Sequence, residues 1–404
     1  MNRRLALVAA LCLLGVRPLF AQPPPDSIDL RQRLVETGLA PRSQGGRDTC
    51  SLFAIAALAH YESGRELSGA TAPVSEEFLT WAANEATGLR GDQAMFYEAL
   101  HGLATLGICT EAEMPYERRG SRRRRPAETA IAAAEGLRDR WQTHWIKRWD
   151  LTTPLDDGQM LAIKQALADG HPVACGLRWP KSIDGAAIRD LPDAEGVFDG
   201  HSIVFVGYAD DPADSTAGEF LFRNSAGAGW GEEGYGRMTY AYARQYANDA
   251  LWLQFGPPGW QTPTHRFEAE DLPIAASQHC QAGRQEMGDF GGGMWSGGAQ
   301  LLCQAENASF ISLEFNVPTA GRYRVRLLAT AAPDYGRLQA ILDDRPAGEE
   351  IDLYSGRVSP SGGIDLATLD LTAGAHRLQV TVVGRHPSSG GHAFGLDAID
   401  LIAE

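Results

Sequence analysis

A chain of 404 residues is too long for one ordinary hydrophobic core, so two domains are expected. Its 44% hydrophobic and 22% charged residues are the composition of a soluble globular protein. A formal net charge of −15 repels phosphate, which argues against a nucleic-acid partner.

Residues 1–21 read as a secretory signal peptide. Arg3 and Arg4 give a short basic start, Leu5 to Val16 is apolar but short for a bilayer span, and Ala21 offers a small residue for cleavage. An uncleaved anchor is the other reading of this run. The paired arginines are a weak twin-arginine signal, and Leu11 before Cys12 argues against a lipid-anchoring cysteine. The expected location is therefore secreted or periplasmic, without stable membrane insertion. Of the six cysteines, Cys12 lies in this leader. The remaining odd number implies a thiol that is unpaired or paired between molecules.

Pro23-Pro24-Pro25 is an extended spacer, and a short polar segment over 26–43 leads to Cys50. Residues 50–62, CSLFAIAALAHYE, predict a buried helix stopped by Ser63-Gly64. Apolar stripes predict helices over 75–86 and 92–106, and an Ala-rich start predicts another over 127–145. Arg118-Arg119 and Arg122 to Arg125 form a basic run, read as a solvated loop or as a processing site. Strand-like stretches follow at Val173 to Leu177, His201 to Tyr208 and Glu219 to Asn224. Helices first and strands later predict an α+β region, a helical half packed on a sheet half. The Pro- and Gly-rich 258–264 reads as a linker between a domain over 22–257 and one over 265–404. In the latter, Phe310 to Val317, Tyr323 to Ala329, Leu338 to Leu342, His376 to Val383 and Ala398 to Ile402 alternate as in an all-β, jelly-roll-like sandwich.

A thiol is a strong nucleophile when ionised, and a helix N-terminus beside an imidazolium lowers its pKa. Cys50 opens the Ala-rich helix, although a cysteine there is more often structural. Its surroundings decide between the two. Gln44-Gly45 lies upstream and Ser51-Leu52-Phe53-Ala54 follows. Asp199-Gly200-His201-Ser202-Ile203-Val204-Phe205-Val206-Gly207-Tyr208 comes later, then Phe222-Arg223-Asn224-Ser225 and Gly229-Trp230-Gly231-Glu232-Glu233-Gly234-Tyr235-Gly236. This order resembles the papain family of cysteine peptidases over about residues 28–255. Pro73-Val74-Ser75-Glu76-Glu77-Phe78 and Met114-Pro115-Tyr116 add matching segments.

The resemblance implies a two-lobed α+β fold, one lobe helical and one of strands, and a protein or peptide substrate. It implies that Cys50 is the nucleophile, His201 the acid and base, Asn224 the group that orients His201, and Gln44 a donor to the oxyanion with the Cys50 N–H. No cofactor is implied for catalysis. Three positions depart from the family pattern. Arg47 stands where many members have a disulfide cysteine, Ser51 replaces a Trp, and Ala226 replaces the Trp after Asn-Ser. The last change leads us to expect a wetter, weaker His201–Asn224 bond. The segment before Gln44 is also too short for the family's usual inhibitory prodomain.

The C-terminal region opens on Phe267-Glu268-Ala269-Glu270 and closes on Phe394-Gly395-Leu396-Asp397-Ala398-Ile399-Asp400-Leu401, with Ala320-Gly321-Arg322-Tyr323 between. It resembles β-sandwich carbohydrate-binding modules and their non-enzymatic relatives. That resemblance implies adjacent first and last strands, with Glu268, Glu270 and Asp397 holding a structural calcium; plain solvated acids are the alternative. Trp295 and Tyr335 are the candidate platform for a carbohydrate ligand, and core packing is their other reading. Cys280 and Cys303 are close enough in sequence to pair. Cys109 and Cys175 form a second candidate pair or remain buried thiols.

The leading functional reading is a secreted thiol endopeptidase with an accessory module for targeting or restraint. The alternatives are an inactive papain-like binding or adhesion protein and a thiol acyl transferase on the same fold.

Overall fold

The computed structural model describes residues 23–66, 71–119, 124–183, 186–188 and 190–404. The leader over 1–21 and positions 120–123 of the basic run lie outside the described residues. Among the described residues no helix is long and apolar enough to cross a membrane.

The first lobe is helical. A short strand β1 (Ser27–Asp29) and helix α1 (Arg31–Glu36) precede α2 (Cys50–Glu66), α3 (Glu76–Thr87), α4 (Phe96–Leu106) and α5 (Glu128–Glu135). Helix α2 is buried from Ser51 through Gly64. A helix apolar all round has to be a core element, and the Ala-rich sequence lets neighbours approach it on every side. It runs past the expected stop at Ser63-Gly64. The Ser63 hydroxyl bonds back to the Ala59 carbonyl at 2.8 Å, and core packing outweighs the helix cost of Gly64. Ser75 caps α3 by accepting from the Phe78 N–H at 2.9 Å. Gly102 lets α4 lie against α3, since a Cβ there would meet the Ala83 backbone at 2.5 Å.

The second lobe is a sheet of β2 (Trp141–Lys147), β3 (Val173–Pro180), β4 (Ala187–Ile188), β5 (Val197–Asp211), β6 (Asp214–Arg223), β7 (Tyr235–Thr239) and β8 (Ala247–Phe255), with helices α6 (Asp157–Ala168) and α7 (Tyr240–Tyr246). The strand order is β2-β8-β3-β5-β6-β7-β4, and β1 pairs with β5. The helix expected over 127–145 ends at Glu135. Gly136 follows it, and the aromatic and β-branched run from Trp141 pairs with β8 as a strand. The helix expected from 92 begins only at Phe96.

Residues 256–264 form turns that join the two regions. They are fastened at both ends: the Gln261 N–H donates to the Asp139 carbonyl at 2.9 Å, and the Thr264 N–H to the Leu401 carbonyl at 2.7 Å. The C-terminal region contains β9 (His265–Glu268), β10 (Ile274–Glu286), β11 (Ala299–Val317), β12 (Gly321–Ala331), β13 (Gly336–Leu342), β14 (Arg345–Asp352), β15 (Ser359–Leu371), β16 (Gly374–Arg385) and β17 (Phe394–Ala403). It is rich in strands, as expected, and β9 and β17 pair antiparallel, with Glu268 opposite Ala398. A separate apolar cluster, including Phe315, Leu327, Phe394 and Leu401, forms its core. Cys280 on β10 and Cys303 on β11 are disulfide-bonded. Cys109 and Cys175 are not bonded to each other; both are buried free thiols.

Arg47 occupies the position of the missing bridge. It is 4% exposed, and its guanidinium binds Glu77 of α3, Asp92 at 2.7 and 2.9 Å, and the Glu117 carbonyl at 2.9 Å. Burial alone lowers its pKa, but the bonds to Asp92 and Glu77 outweigh that and raise it. The turn before Cys50 is thus tied to three segments of the helical lobe. Breaking a buried pair by removing one partner leaves the other charge stranded. Arg47→Met should therefore destabilise the protein by about 3–5 kcal/mol. Arg322→Gln, which breaks an exposed pair with Asp370, should cost under about 1 kcal/mol. An equal melting temperature for the two variants would show that the Arg47 network contributes no net stability.

Candidate functional site

The lobes meet along a cleft of about 790 Å3 that Gln44, Cys50 and His201 all line. Cys50 enters from the first turn of α2, where backbone N–H groups without helical partners favour a negative charge. His201 enters from β5, whose register is fixed by β3 and β6 on either side.

The imidazole Nε2 of His201 and Oδ1 of Asn224 are 2.8 Å apart. The same Asn224 oxygen accepts from the Ser225 N–H at 2.8 Å, which fixes the amide's orientation. Asn224 is 5% exposed. A cavity of about 360 Å3 lined by His201, Asn224 and Ala226 lies beside the bond, where the family's Trp is missing. The ring of Trp179 on β3 packs edge-on to His201, centroids 4.5 Å apart, and Phe222 packs on Trp179 in turn. An indole thus packs on the imidazole from a neighbouring strand and forms one wall of that cavity. Nothing in the local sequence around Asn224 could have shown it.

Gln44 is held on both sides. Its backbone N–H donates to the Ser225 carbonyl at 2.9 Å, its Oε1 accepts from the Ser225 hydroxyl, and its Nε2 donates to the Arg47 carbonyl at 2.7 Å. Nε2 carries two protons, so the bond to Arg47 leaves one for another acceptor. Ser51, the other departure, is 7% exposed and donates to the Ala94 carbonyl. It ties the start of α2 to the 93–95 rim of the cleft. Ser225 stood in the motif around Asn224 without a role of its own, and Trp179 was not among the residues that the sequence pointed to.

Burial works against charge on both reactive groups. It raises the Cys50 thiol's pKa, opposed by hydrogen bonds from the Ser202 backbone and hydroxyl. It lowers that of His201, opposed by the bond to Asn224. What favours charge on the two groups is the N-terminus of α2 with the Ser202 bonds for Cys50, and the bond to Asn224 for His201.

The residues singled out in the C-terminal region fall into two groups. Trp295 and Tyr335 are 3% and 5% exposed, so neither presents a ring face to a sugar. The Trp295 N–H donates to the Thr330 hydroxyl at 2.8 Å, and the Tyr335 hydroxyl accepts from Gln300 at 3.2 Å. Both belong to the interior, which corrects the platform reading.

Glu268, Glu270 and Asp397 do come together. Ser296 donates its N–H to Asp397 at 2.9 Å and its hydroxyl to Glu268 at 2.7 Å. Glu268 Oε2 and Glu270 Oε2 are buried without a hydrogen-bond partner. Burial, then the neighbouring Glu268 charge, push Asp397 up to about 8. Among the described residues no three His, Cys, Asp or Glu side chains stand at metal-ligand spacing.

The family model of papain family cysteine proteases matches residues 24–250. Several solved structures resemble the chain. Xylellain, a cysteine protease from Xylella fastidiosa, is 22% identical over 57% of this chain and 87% of its own, with a TM-score of 0.47. Digestive procathepsin L 3 of the Tenebrio molitor larval midgut is 21% identical over 58% of this chain and 71% of its own, TM-score 0.45. The Carica candamarcensis cysteine protease CMS1MS2, in complex with E-64, is 24% identical over 57% of this chain and 99% of its own, TM-score 0.42. No curated protein matches.

Among the described residues, three free thiols differ in a way that labelling can read. Cys50 lines the cleft and is partly exposed, whereas Cys109 and Cys175 are 3% and 0% exposed. Burial pushes Cys109 up to about 12 and Cys175 further. A small alkylating reagent at neutral pH should modify Cys50 and spare the other two in the folded protein. Equal labelling of all three, mapped by peptide mass, would contradict this geometry.

Proposed function

The chain belongs to the papain family of cysteine proteases, and we propose that it is a secreted or periplasmic endopeptidase whose catalytic residues are Cys50, His201, Asn224 and Gln44. One observation carries the assignment: Gln44, Cys50 and the Asn224-bonded His201 converge on a single cleft between the lobes. A cysteine peptidase needs a nucleophile, a proton carrier, a group orienting that carrier and an oxyanion donor, and Cys50, His201, Asn224 and Gln44 have the chemistry for those roles.

The Cys50 thiolate attacks the scissile carbonyl carbon, and the displaced electron pair moves onto the oxygen. The second Nε2 proton of Gln44 and the Cys50 N–H receive that oxyanion. Collapse expels the amine, which takes its proton from His201, and leaves an acyl group on sulfur. His201, now neutral, takes a proton from water. The resulting hydroxide attacks the acyl carbon, and the sulfur leaves as thiolate. Asn224 keeps the imidazole in one orientation throughout and carries no proton. An inactive binding protein would not need Gln44 and Asn224 held this closely, and a transferase would differ only in replacing water by another acceptor.

Cys50→Ser should abolish peptide hydrolysis with the fold retained, because a hydroxyl is far less acidic than a thiol. His201→Ala should lower kcat by roughly 10²–10⁴-fold, the usual range for losing a general acid–base. Asn224→Ala should cost less, since it only orients the base. Near wild-type turnover in Cys50→Ser, measured on a fluorogenic peptide library, would end the assignment.

The C-terminal strands form a jelly-roll-like sandwich that targets or restrains the protease. Strand β11 supports the sandwich reading, because it pairs with β17 at Leu301–Cys303 and with β16 from Phe310 onward, so it crosses between partners. With Trp295 and Tyr335 buried, no residue is assigned to a carbohydrate. Glu268, Glu270 and Asp397 would hold a structural calcium. Two buried carboxylate oxygens without partners suit a hard cation, although the three groups would have to close up around it.

The sign of the pH effect tests this. Folding raises Asp397 from the usual carboxylate value to about 8, so the native state binds the extra proton between those limits. Without calcium, this group's contribution to stability should fall as pH rises from about 4 to 8. Calcium replaces the proton, so the difference in melting temperature between calcium and chelator should be larger at pH 8 than at pH 5. Asp397→Asn should remove most of it. Identical melting of metal-free protein with and without calcium at pH 8 would remove the site.

A further inference from the structure

The cleft that holds Cys50 and His201 is completed by the C-terminal region. Arg357, in the turn between β14 and β15, lines the same cleft, beside Trp149 and Leu151. The turn is firmly seated. The Gly356 N–H donates to the Trp149 carbonyl at 2.7 Å, and the Ser355 hydroxyl donates to the same oxygen at 3.3 Å. A Cβ at 356 would lie 3.0 Å from the Trp149 ring, so only glycine fits without displacement. Ser355 and Leu353 are 1% and 0% exposed. The wall is therefore anchored by the residues just before Arg357, and Ser359 beyond it is also buried.

The Arg357 guanidinium lies over the Trp149 indole, 4.5 Å from the ring centroid. Stacking a guanidinium on an aromatic face restrains it while its N–H donors point outward in its own plane, the geometry that grips a carboxylate with two parallel bonds. Arg357 is exposed, and one of its N–H groups reaches the Tyr97 hydroxyl. Three carboxylates line the cleft with Arg357. Glu98 accepts from the Met95 N–H at 2.6 Å and also feels the Arg357 charge, Asp48 accepts from Gln93 at 3.0 Å, and burial pushes Asp249 up to about 7. Among the described residues, Arg357 is the one arginine or lysine that lines the cleft.

We propose that Arg357 is a specificity residue supplied by the C-terminal region, and that it binds a carboxylate of the peptide lying in the cleft. The proposal rests on the peptidase reading of that cleft. The carboxylate belongs either to an Asp or Glu side chain at a fixed distance from the scissile bond or to the peptide's own C-terminus. The β region then selects substrate as part of the active cleft.

The test uses the full chain and matched peptides. Glu, Gln or Lys is placed at successive positions on either side of the scissile bond, and each peptide is made with a free-acid and an amide C-terminus. In the wild type, kcat/KM should favour Glu over Gln by about tenfold at one position, or free acid over amide by a similar factor, and added salt should shrink the ratio. Which of the two ratios departs from one identifies the source of the carboxylate. Arg357→Gln should bring that ratio to about one, and Arg357→Glu should turn the preference toward Lys. Arg345→Glu, the same charge change on the exposed β13–β14 hairpin, should keep the wild-type ratio. Unchanged ratios in Arg357→Glu overturn the proposal.

Binding of the same peptides to Cys50→Ala, with and without Arg357→Glu, reads recognition apart from turnover. Carboxylate-selective binding that disappears with Arg357→Glu supports the proposal even if the wild type hydrolyses none of the peptides, an outcome that would sink only the peptidase reading. Equal binding with and without the charge reversal overturns the proposal.

Discussion

A guanidinium buried to 4% exposure holds the turn that presents the nucleophile. Arg47 lies three residues before Cys50, and its carbonyl positions the Gln44 amide while its head binds Glu77, Asp92 and the Glu117 carbonyl. A disulfide would fix one pair of atoms covalently. This network instead fixes three segments by charge, in surroundings where an unpaired partner is expensive. The Gln44 amide and the start of α2 are therefore set by the same residue. The order reaches the other lobe through Ser225, which bonds both Gln44 and, through its N–H, Asn224.

The lobes divide the chemistry between them. The helical lobe supplies a thiol at a helix N-terminus, and the sheet supplies an imidazole held between strands. Burial disfavours charge on each when taken singly. A water-poor cleft weakens the solvation of ions but strengthens their attraction for one another. That is the condition under which a sulfur and an imidazole share a proton usefully. The Trp179 ring packs on His201 from a direction independent of the asparagine loop.

The C-terminal region has its own core yet is not a remote appendage. The Gln142 amide donates to Asp365 at 2.8 Å, His101 Nε2 and the Gly293 carbonyl are 3.0 Å apart, and the Gly356 N–H reaches the Trp149 carbonyl. These polar contacts cross from the protease lobes to the strands beyond the 256–264 turns. The last of them seats the turn that carries Arg357 into the lining of the Cys50–His201 cleft.

Local order carried the sequence's information. The Ala-rich helix opening at Cys50, the strand opening at His201, and the Asn224 segment with its trailing glycines each hold their pattern within about a dozen residues, so the family was legible from them. Helix α6 was legible too and went unread: Asp156 and Gln159 form its capping box, and Met160, Ile163 and Leu167 its buried stripe. The helix expected over 127–145 failed because pairing with β8 outweighs local propensity, and β8 lies more than a hundred residues away. The same distance hid the rest of the site. Trp179 beside His201, Ser225 beneath Gln44, Arg47 against Glu77 and Arg357 over Trp149 are contacts between segments that only folding brings together. Trp295 and Tyr335 show the converse: an aromatic in a glycine-rich or turn-like stretch reads as exposed until burial decides otherwise. The sequence by itself determined which residue types were present for thiol chemistry and the order in which they occur. Only the tertiary structure decided what shelters, orients and walls them, because those effects act through space between side chains whose separation along the chain carries no signal.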